Sequence, residues 1–120
     1  MKYVLFVTAF VLAFTFPTFA ASTSQTTMSK KQVAILTAQA KTPDDHQKIA
    51  DYYRGESKRL LAESYKHVSM GAEYARNPVK GVRNLSDHCA WLAKSLKAES
   101  VKDSQLADQH EQMAKAAEQN

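Results

Sequence analysis

The sequence is poor in the residues that most enzyme sites and disulfide-rich folds require. It has one cysteine, three glycines and three prolines among 120 residues, and no phenylalanine follows Phe19. A single cysteine cannot form an internal disulfide, so Cys89 is a free thiol, a metal ligand or half of an intermolecular disulfide. The sequence contains no glycine-rich phosphate loop, no serine nucleophile elbow and no His-Glu-x-x-His pair. The length suits one domain, and we expect no enzymatic activity.

The first 20 residues differ in composition from the rest of the chain. Lys2 is followed by a largely apolar run, Tyr3 to Phe16, and then by a proline and small residues before a cleavage site between Ala20 and Ala21. The run of about 14 residues is shorter than the roughly 20 that span a bilayer. This pattern predicts a secretory signal peptide over 1–20. We therefore expect an exported protein, periplasmic or secreted, that is not held in the membrane after cleavage.

The rest of the chain shows helical periodicity and no alternation typical of strands. Residues 21–29 are polar and rich in serine and threonine, which predicts a disordered linker. Thr42-Pro43-Asp44-Asp45 combines an N-cap residue, a proline at the first helical position and first-turn carboxylates, so a long helix should begin there. Asn77-Pro78 should end that helix.

The predicted fold is all-α. A single helical domain over 30–120 should contain a short helix over about 30–40 and two long helices over about 43–76 and 85–118. Because the turn between the long helices is short, they should be antiparallel neighbours in a helical hairpin.

The two long helices are related by an internal repeat. Residues 49–57 align with residues 92–100 at an offset of 43, and the same offset aligns His67 with His110 and Met70 with Met113. With one residue removed near the start, each helix also begins with Asp-His. Two antiparallel copies place the start of each helix against the end of the other, so distant histidines and methionines should meet at both ends of the hairpin.

This arrangement predicts two clusters of metal-ligating side chains, with all four histidines able to face the seam between the helices. The open-end cluster contains His46, His110 and Met113. The turn-end cluster contains His67, Met70, His88 and Cys89. Imidazole suits copper and zinc, while thioether and thiolate ligands favour Cu(I), and thiolate also serves zinc. We expect a copper ion first and a zinc ion second, in metal homeostasis or stress.

Each of these residues also has a structural interpretation. A histidine on an apolar stripe is commonly a core residue, a methionine fills space, and duplication copies both without any function. Asp45 and Asp87, each beside a histidine, suit either orientation of the imidazole ring or neutralisation of a helix N-terminus, and we favour the second.

Other ligand classes are not expected. A two-helix seam without Cys-x-x-Cys-His offers little to haem, and nothing in the sequence suits a nucleotide. Basic residues alternate with acidic residues along both long helices, so the net charge of +4 forms no stripe for nucleic acid.

Low aliphatic content suggests that the hairpin needs further support. Only fourteen leucine, isoleucine and valine residues follow position 20, a small core for about 90 ordered residues. Either a metal joins the helices, or a second copy completes a four-helix bundle in which Cys89 cross-links the dimer. The alternative function is thus an interaction module that forms a homodimer or binds another helical partner.

Taken together, these landmarks resemble a group of small exported helical proteins of bacteria. The resemblance rests on the Asp-His, Tyr-Tyr-Arg and His-x-x-Met motifs within 42–70, on Asn77-Pro78, and on His88-Cys89 followed by the second His-x-x-Met at His110. It covers about 43–115. The resemblance implies export and a helical hairpin, and it implies no activity.

Overall fold

The structure, a computed structural model, describes residues 28–119 and contains three α-helices in that range. Helix α1 is Lys30–Gln39, helix α2 is Pro43–Arg76 and helix α3 is Leu85–Glu118. Residues 28–119 include no strand, which confirms the predicted all-α class. The bounds of the three helices agree with the predicted ones. None of these three helices has an apolar stretch of the length that a membrane span needs. The predicted signal peptide (1–20) and most of the predicted linker (21–29) lie outside the described residues.

Helix α2 begins at the capping signal that the sequence shows. The Thr42 hydroxyl accepts the backbone N–H of Asp45 at 3.1 Å, and the Asp45 carboxylate accepts the backbone N–H of Thr42 at 3.1 Å. This reciprocal capping box satisfies two N–H groups that have no partner within the helix. Pro43, which has no N–H to satisfy, occupies the first turn.

The chain reverses direction between α2 and α3. The backbone N–H of Asn77 donates to the Glu73 carbonyl and closes α2. Gly81 and Asn84 have positive φ angles of 83° and 63°, a left-handed conformation that glycine and asparagine tolerate best. The reversal lets α3 return along α2.

Helices α2 and α3 pack antiparallel along a seam of small residues. The Ser57 hydroxyl donates to the Ser100 carbonyl at 2.8 Å, and the Ser100 hydroxyl donates to the Ser57 carbonyl at 2.9 Å. The buried Ser64 hydroxyl donates to the Ala93 carbonyl at 2.8 Å. Because these short side chains reach the opposite backbone, the two helices lie close together. Ser57 and Ser100 are equivalent in the repeat, so their contact marks the centre of a pseudo-two-fold arrangement.

The buried core is small, and four of its eight apolar residues are alanine. Of the large side chains described, only Ile49 is fully buried, and helix α1 contributes one buried residue, Val33. Several large apolar side chains remain on the surface, including Trp91 at 63% exposure and Tyr65 at 61%. The low aliphatic content of the sequence therefore produces a narrow seam rather than a broad core.

The two helical glycines of α2 provide a matched test of this close packing. A Cβ atom at Gly71 would lie 3.2 Å from the Cys89 Cβ and 3.4 Å from the Ser86 carbonyl oxygen, whereas a Cβ atom at Gly55 would meet nothing within 4 Å. We expect Gly71→Leu to lower the free energy of unfolding by about 1–3 kcal/mol because it forces the helices apart. Gly55→Leu should raise it by up to about 1 kcal/mol through helix propensity. Urea unfolding measures both, and equal effects would contradict the close approach at Gly71.

Candidate metal centre

Two histidines that are 64 positions apart in the sequence meet at the open end of the hairpin. His46 lies in the first turn of α2 and His110 lies in the last third of α3. Their Nδ1 atoms are 3.0 Å apart, and their ring centroids are 5.3 Å apart. His110 is 8% exposed. One ring must donate the hydrogen bond and the other must accept it, so at least one imidazole is neutral in this arrangement.

The surroundings of His110 hold its ring in place and disfavour its charged form. The Tyr53 ring stacks on the His110 ring with centroids 6.4 Å apart and planes 21° apart. Burial lowers the pKa of His110, and the neighbouring charge of His46 lowers it further. The neutral ring keeps one nitrogen lone pair, which is the form that binds a metal ion.

An ion-pair network connects the two helices beside this pair. The Arg54 guanidinium of α2 contacts the carboxylates of Asp108, at 3.1 Å, and of Glu111 on α3. These contacts raise the pKa of Arg54, the Glu111 hydrogen bond most strongly. Arg54 and Asp108 are more than one third exposed, so the network links the two helices and adds little to stability.

Met113, the third member of the predicted open-end cluster, lies one turn beyond His110. At a spacing of three residues on one helix, their Cβ atoms are about 5–6 Å apart. The Met113 side chain is 48% exposed. The structure therefore brings the two histidines together and leaves the thioether on the adjoining surface of α3.

Asp45 has a capping role. Its carboxylate accepts the backbone N–H groups of Lys41 and Thr42, which lower its pKa, with Lys41 the larger cause. The favoured interpretation of Asp45, neutralisation of the α2 N-terminus, agrees with these contacts. The structure shows no hydrogen bond from Asp45 to the adjacent His46 ring.

The turn-end cluster is less compact than the sequence suggests. Cys89 is buried at 5% exposure, and His67 is half-buried with a shielded Nδ1 atom that has no hydrogen-bond partner among the described residues. His88 is exposed and stacks on Trp91 with centroids 6.3 Å apart, so it does not face the seam. Met70 is 39% exposed.

The position of His88 follows from the register of the repeat. The structure pairs Ser57 with Ser100 at the uninterrupted offset of 43, and the same offset makes Cys89 the equivalent of His46. Cys89 is accordingly buried, while His88, rotated by about 100° along the helix, points away. The alignment of the two Asp-His motifs, which required one residue to be removed, is thus wrong for the structure.

Among residues 28–119, no three histidine, cysteine, aspartate or glutamate side chains converge as a metal-binding group. The open end therefore supplies two imidazoles with one nearby thioether. Tyr53 was not among the residues predicted for this site. Its spacing of seven residues from His46, about two helical turns, places it on the same face of α2 and could have predicted it. No sequence signal distinguished Arg54 from the other exposed cations.

The lowered pKa of His110 leads to a prediction about acid stability. As the pH falls through the ordinary histidine range near 6.5, the unfolded chain takes up a proton that folded His110 does not, so folding should weaken until the pH passes the lowered pKa. We expect His110→Leu to flatten the stability profile between about pH 7.5 and 5, measured by urea unfolding with a metal chelator present. His88→Gln, which removes an exposed histidine, should keep the wild-type profile. An unchanged slope in His110→Leu would contradict the burial effect.

Comparison with known proteins identifies no relative: no family model, no curated protein and no solved structure matches the chain. The resemblance to exported helical proteins stays a prediction.

Proposed function

We propose that the protein binds a soft transition metal ion, copper in preference to zinc, at the open end of its helical hairpin. The observation that supports this proposal is the approach of the His46 and His110 Nδ1 atoms to 3.0 Å. Because the predicted signal peptide would export the protein, we propose that it takes part in metal homeostasis outside the cytoplasm.

The distance between the nitrogens is close to the one a metal ion requires. Imidazole nitrogens bind such ions at about 2.0–2.1 Å, so two of them on one tetrahedral ion lie about 3.3 Å apart. The rings would need to separate by only a few tenths of an ångström. Each neutral imidazole would place its proton on Nε2 and direct its Nδ1 lone pair at the ion, so two neutral rings need release no proton on binding.

The available ligands favour copper over zinc. A zinc site normally has at least three histidine, cysteine or carboxylate ligands, and no such group of three converges among the described residues. Cu(I) accepts thioether ligands, and Met113 lies one helical turn from His110. Two imidazoles and one thioether thus suit Cu(I).

The environment of His110 also favours metal binding near neutral pH. Burial lowers the pKa of His110, so protons compete weakly for its lone pair. The His110 side chain is 8% exposed and lies beside the Tyr53 ring, so it has little room to rotate. Less conformational freedom is lost on binding when a ligand is already held in place.

Self-association is the second candidate function, and the exposed apolar side chains favour it. Trp91, Tyr65, Val68 and Val101 are between 50% and 63% exposed. Large apolar side chains on the surface of a small helical protein are typical of interaction surfaces when they adjoin one another. A second hairpin covering them would form the four-helix bundle that the sequence suggests.

Titration with Cu(I) against a competing chromogenic chelator tests the metal proposal. We expect one strong site in the wild-type protein, and a loss of affinity of at least about tenfold, or 1.4 kcal/mol, in His46→Gln and in His110→Gln. Met113→Leu, which keeps size and removes the sulfur, should weaken Cu(I) binding and leave Zn²⁺ binding unchanged.

The controls separate the two ends of the hairpin. His88→Gln removes an exposed histidine and should bind Cu(I) as the wild type does. If affinity falls in His67→Gln and Cys89→Ser while His46→Gln is unaffected, the metal site is at the turn end and the open-end proposal is wrong. Concentration-dependent melting that is indifferent to chelators, with no metal retained, would favour self-association instead.

A further inference from the structure

A groove lies between α2 and α3 near the turn, away from the histidine pair. Its volume is about 470 Å³, within the usual range of small-molecule sites. All of its lining residues belong to α2 and α3. We call it the turn-end groove, and define it by Val68, Gly71, Ala90, Ala93, Lys94 and Lys97.

The groove combines an apolar floor with two lysines at one end. Alanine and glycine provide the floor, and Lys94 and Lys97 lie on α3 three residues apart. The hydrogen bond between Ser64 of α2 and Ala93 of α3 shows where along the hairpin these lysines lie, which is at the end of the groove nearer the middle of the molecule. From Ser64 the lining of α2 continues to Ala75, about 16 Å along the helix at 1.5 Å per residue. The groove is thus basic toward the middle of the molecule and apolar toward the turn.

The internal repeat relates Lys97 of the groove to a cation at the open end whose charge is neutralised by carboxylates. At an offset of 43, Lys97 corresponds to Arg54, which contacts the carboxylates of Asp108 and Glu111. The turn-end equivalents of those two acids are Tyr65 and Val68. Side chains with apolar bodies thus stand where the open end has carboxylates, so the turn end has the cation without its anionic partners.

No other acid takes their place in the part of the chain that the structure describes. Glu63, which lies closest in register to Lys94, is bound to Lys66 at 2.7 Å on its own helix. Neither Lys94 nor Lys97 forms an ion pair with a described residue. His67, which also lines the groove, has a shielded Nδ1 atom without a hydrogen-bond partner in that range.

We propose that the turn-end groove binds a long-chain carboxylate of the fatty-acid class. The carboxylate lies beside Lys94 and Lys97 and restores the negative charge that Asp108 and Glu111 supply at the other end. The alkyl chain lies along the alanine and glycine floor toward the turn. This inference is independent of metal binding, because none of the open-end ligands lines the groove.

Dodecanoate, used below its micellar concentration, is the probe for isothermal titration calorimetry on the purified protein. We expect saturable binding of dodecanoate, and at least about tenfold weaker binding of dodecyltrimethylammonium, which has the same chain and the opposite charge. Acetate, which has the head group without the chain, should not bind measurably.

Two pairs of variants locate the binding in the groove. Ala90→Phe fills the groove and should weaken dodecanoate binding by at least about tenfold, whereas Ala98→Phe, at an exposed position of α3 outside the lining, should not. The double change Lys94→Glu and Lys97→Glu should abolish binding, whereas Lys102→Glu, at an exposed position of α3 outside the lining, should leave it intact. Circular dichroism checks that each variant keeps its helices.

Three results would overturn the proposal. Equal binding of the anionic and cationic amphiphiles would show non-specific adsorption. Full binding by Ala90→Phe would place the ligand elsewhere. A dimer that dissociates in Ala90→Phe, in a protein that does not bind dodecanoate, would show that a second copy occupies the groove.

Discussion

The close approach of α2 and α3 is the constraint on which the rest of the structure depends. The hydroxyls of Ser57, Ser64 and Ser100 each donate to a carbonyl of the facing helix. A hydroxyl is short, so such a bond requires the helices to be nearly in contact. It is also directional, so it permits little sliding of one helix along the other. The seam therefore fixes a register, and that register places His46 against His110.

Hydrogen bonding compensates in part for the small apolar core. Ala50, Ala93, Ala107 and Ala114 are buried in the seam, and an alanine removes little apolar surface from water compared with a leucine. Buried polar groups would destabilise such a seam if they were unpaired. Here Ser64 and Ser100 are buried and hydrogen-bonded to backbone carbonyls, which provides specificity where apolar area is limited.

Much of this fold was predictable because its signals are local. Thr42-Pro43-Asp44-Asp45 and Asn77-Pro78 mark the ends of α2, since capping and helix termination depend on a few adjacent residues. The contact between His46 and His110 was predictable for another reason: a short turn and an internal repeat together define the register of an antiparallel pair.

The prediction for the turn end was wrong where a shift of one residue in register decides which side chain faces the seam. Adjacent residues on a helix point about 100° apart, so His88 and Cys89 cannot both face the seam. The matching Asp-His motifs led to a cluster that contained both residues, but in the structure it is Cys89 that packs against Gly71 in the seam. The Arg54 network was not predictable either, because exposed cations and anions alternate along both helices and many pairings satisfy the same pattern.

The two halves of the hairpin differ most where the repeat has diverged in chemistry. The same offset that relates Arg54 to Lys97 relates His46 to the buried thiol of Cys89, and it relates two acids of α3 to Tyr65 and Val68 of α2. The backbone arrangement is shared, because the seam of small residues is shared. The side chains beside that seam differ between the two ends: the open end has an imidazole pair beside an ion-pair network, and the turn end has an open apolar groove. Two similar helices joined by a narrow seam thus carry two chemically different arrangements of side chains on one scaffold.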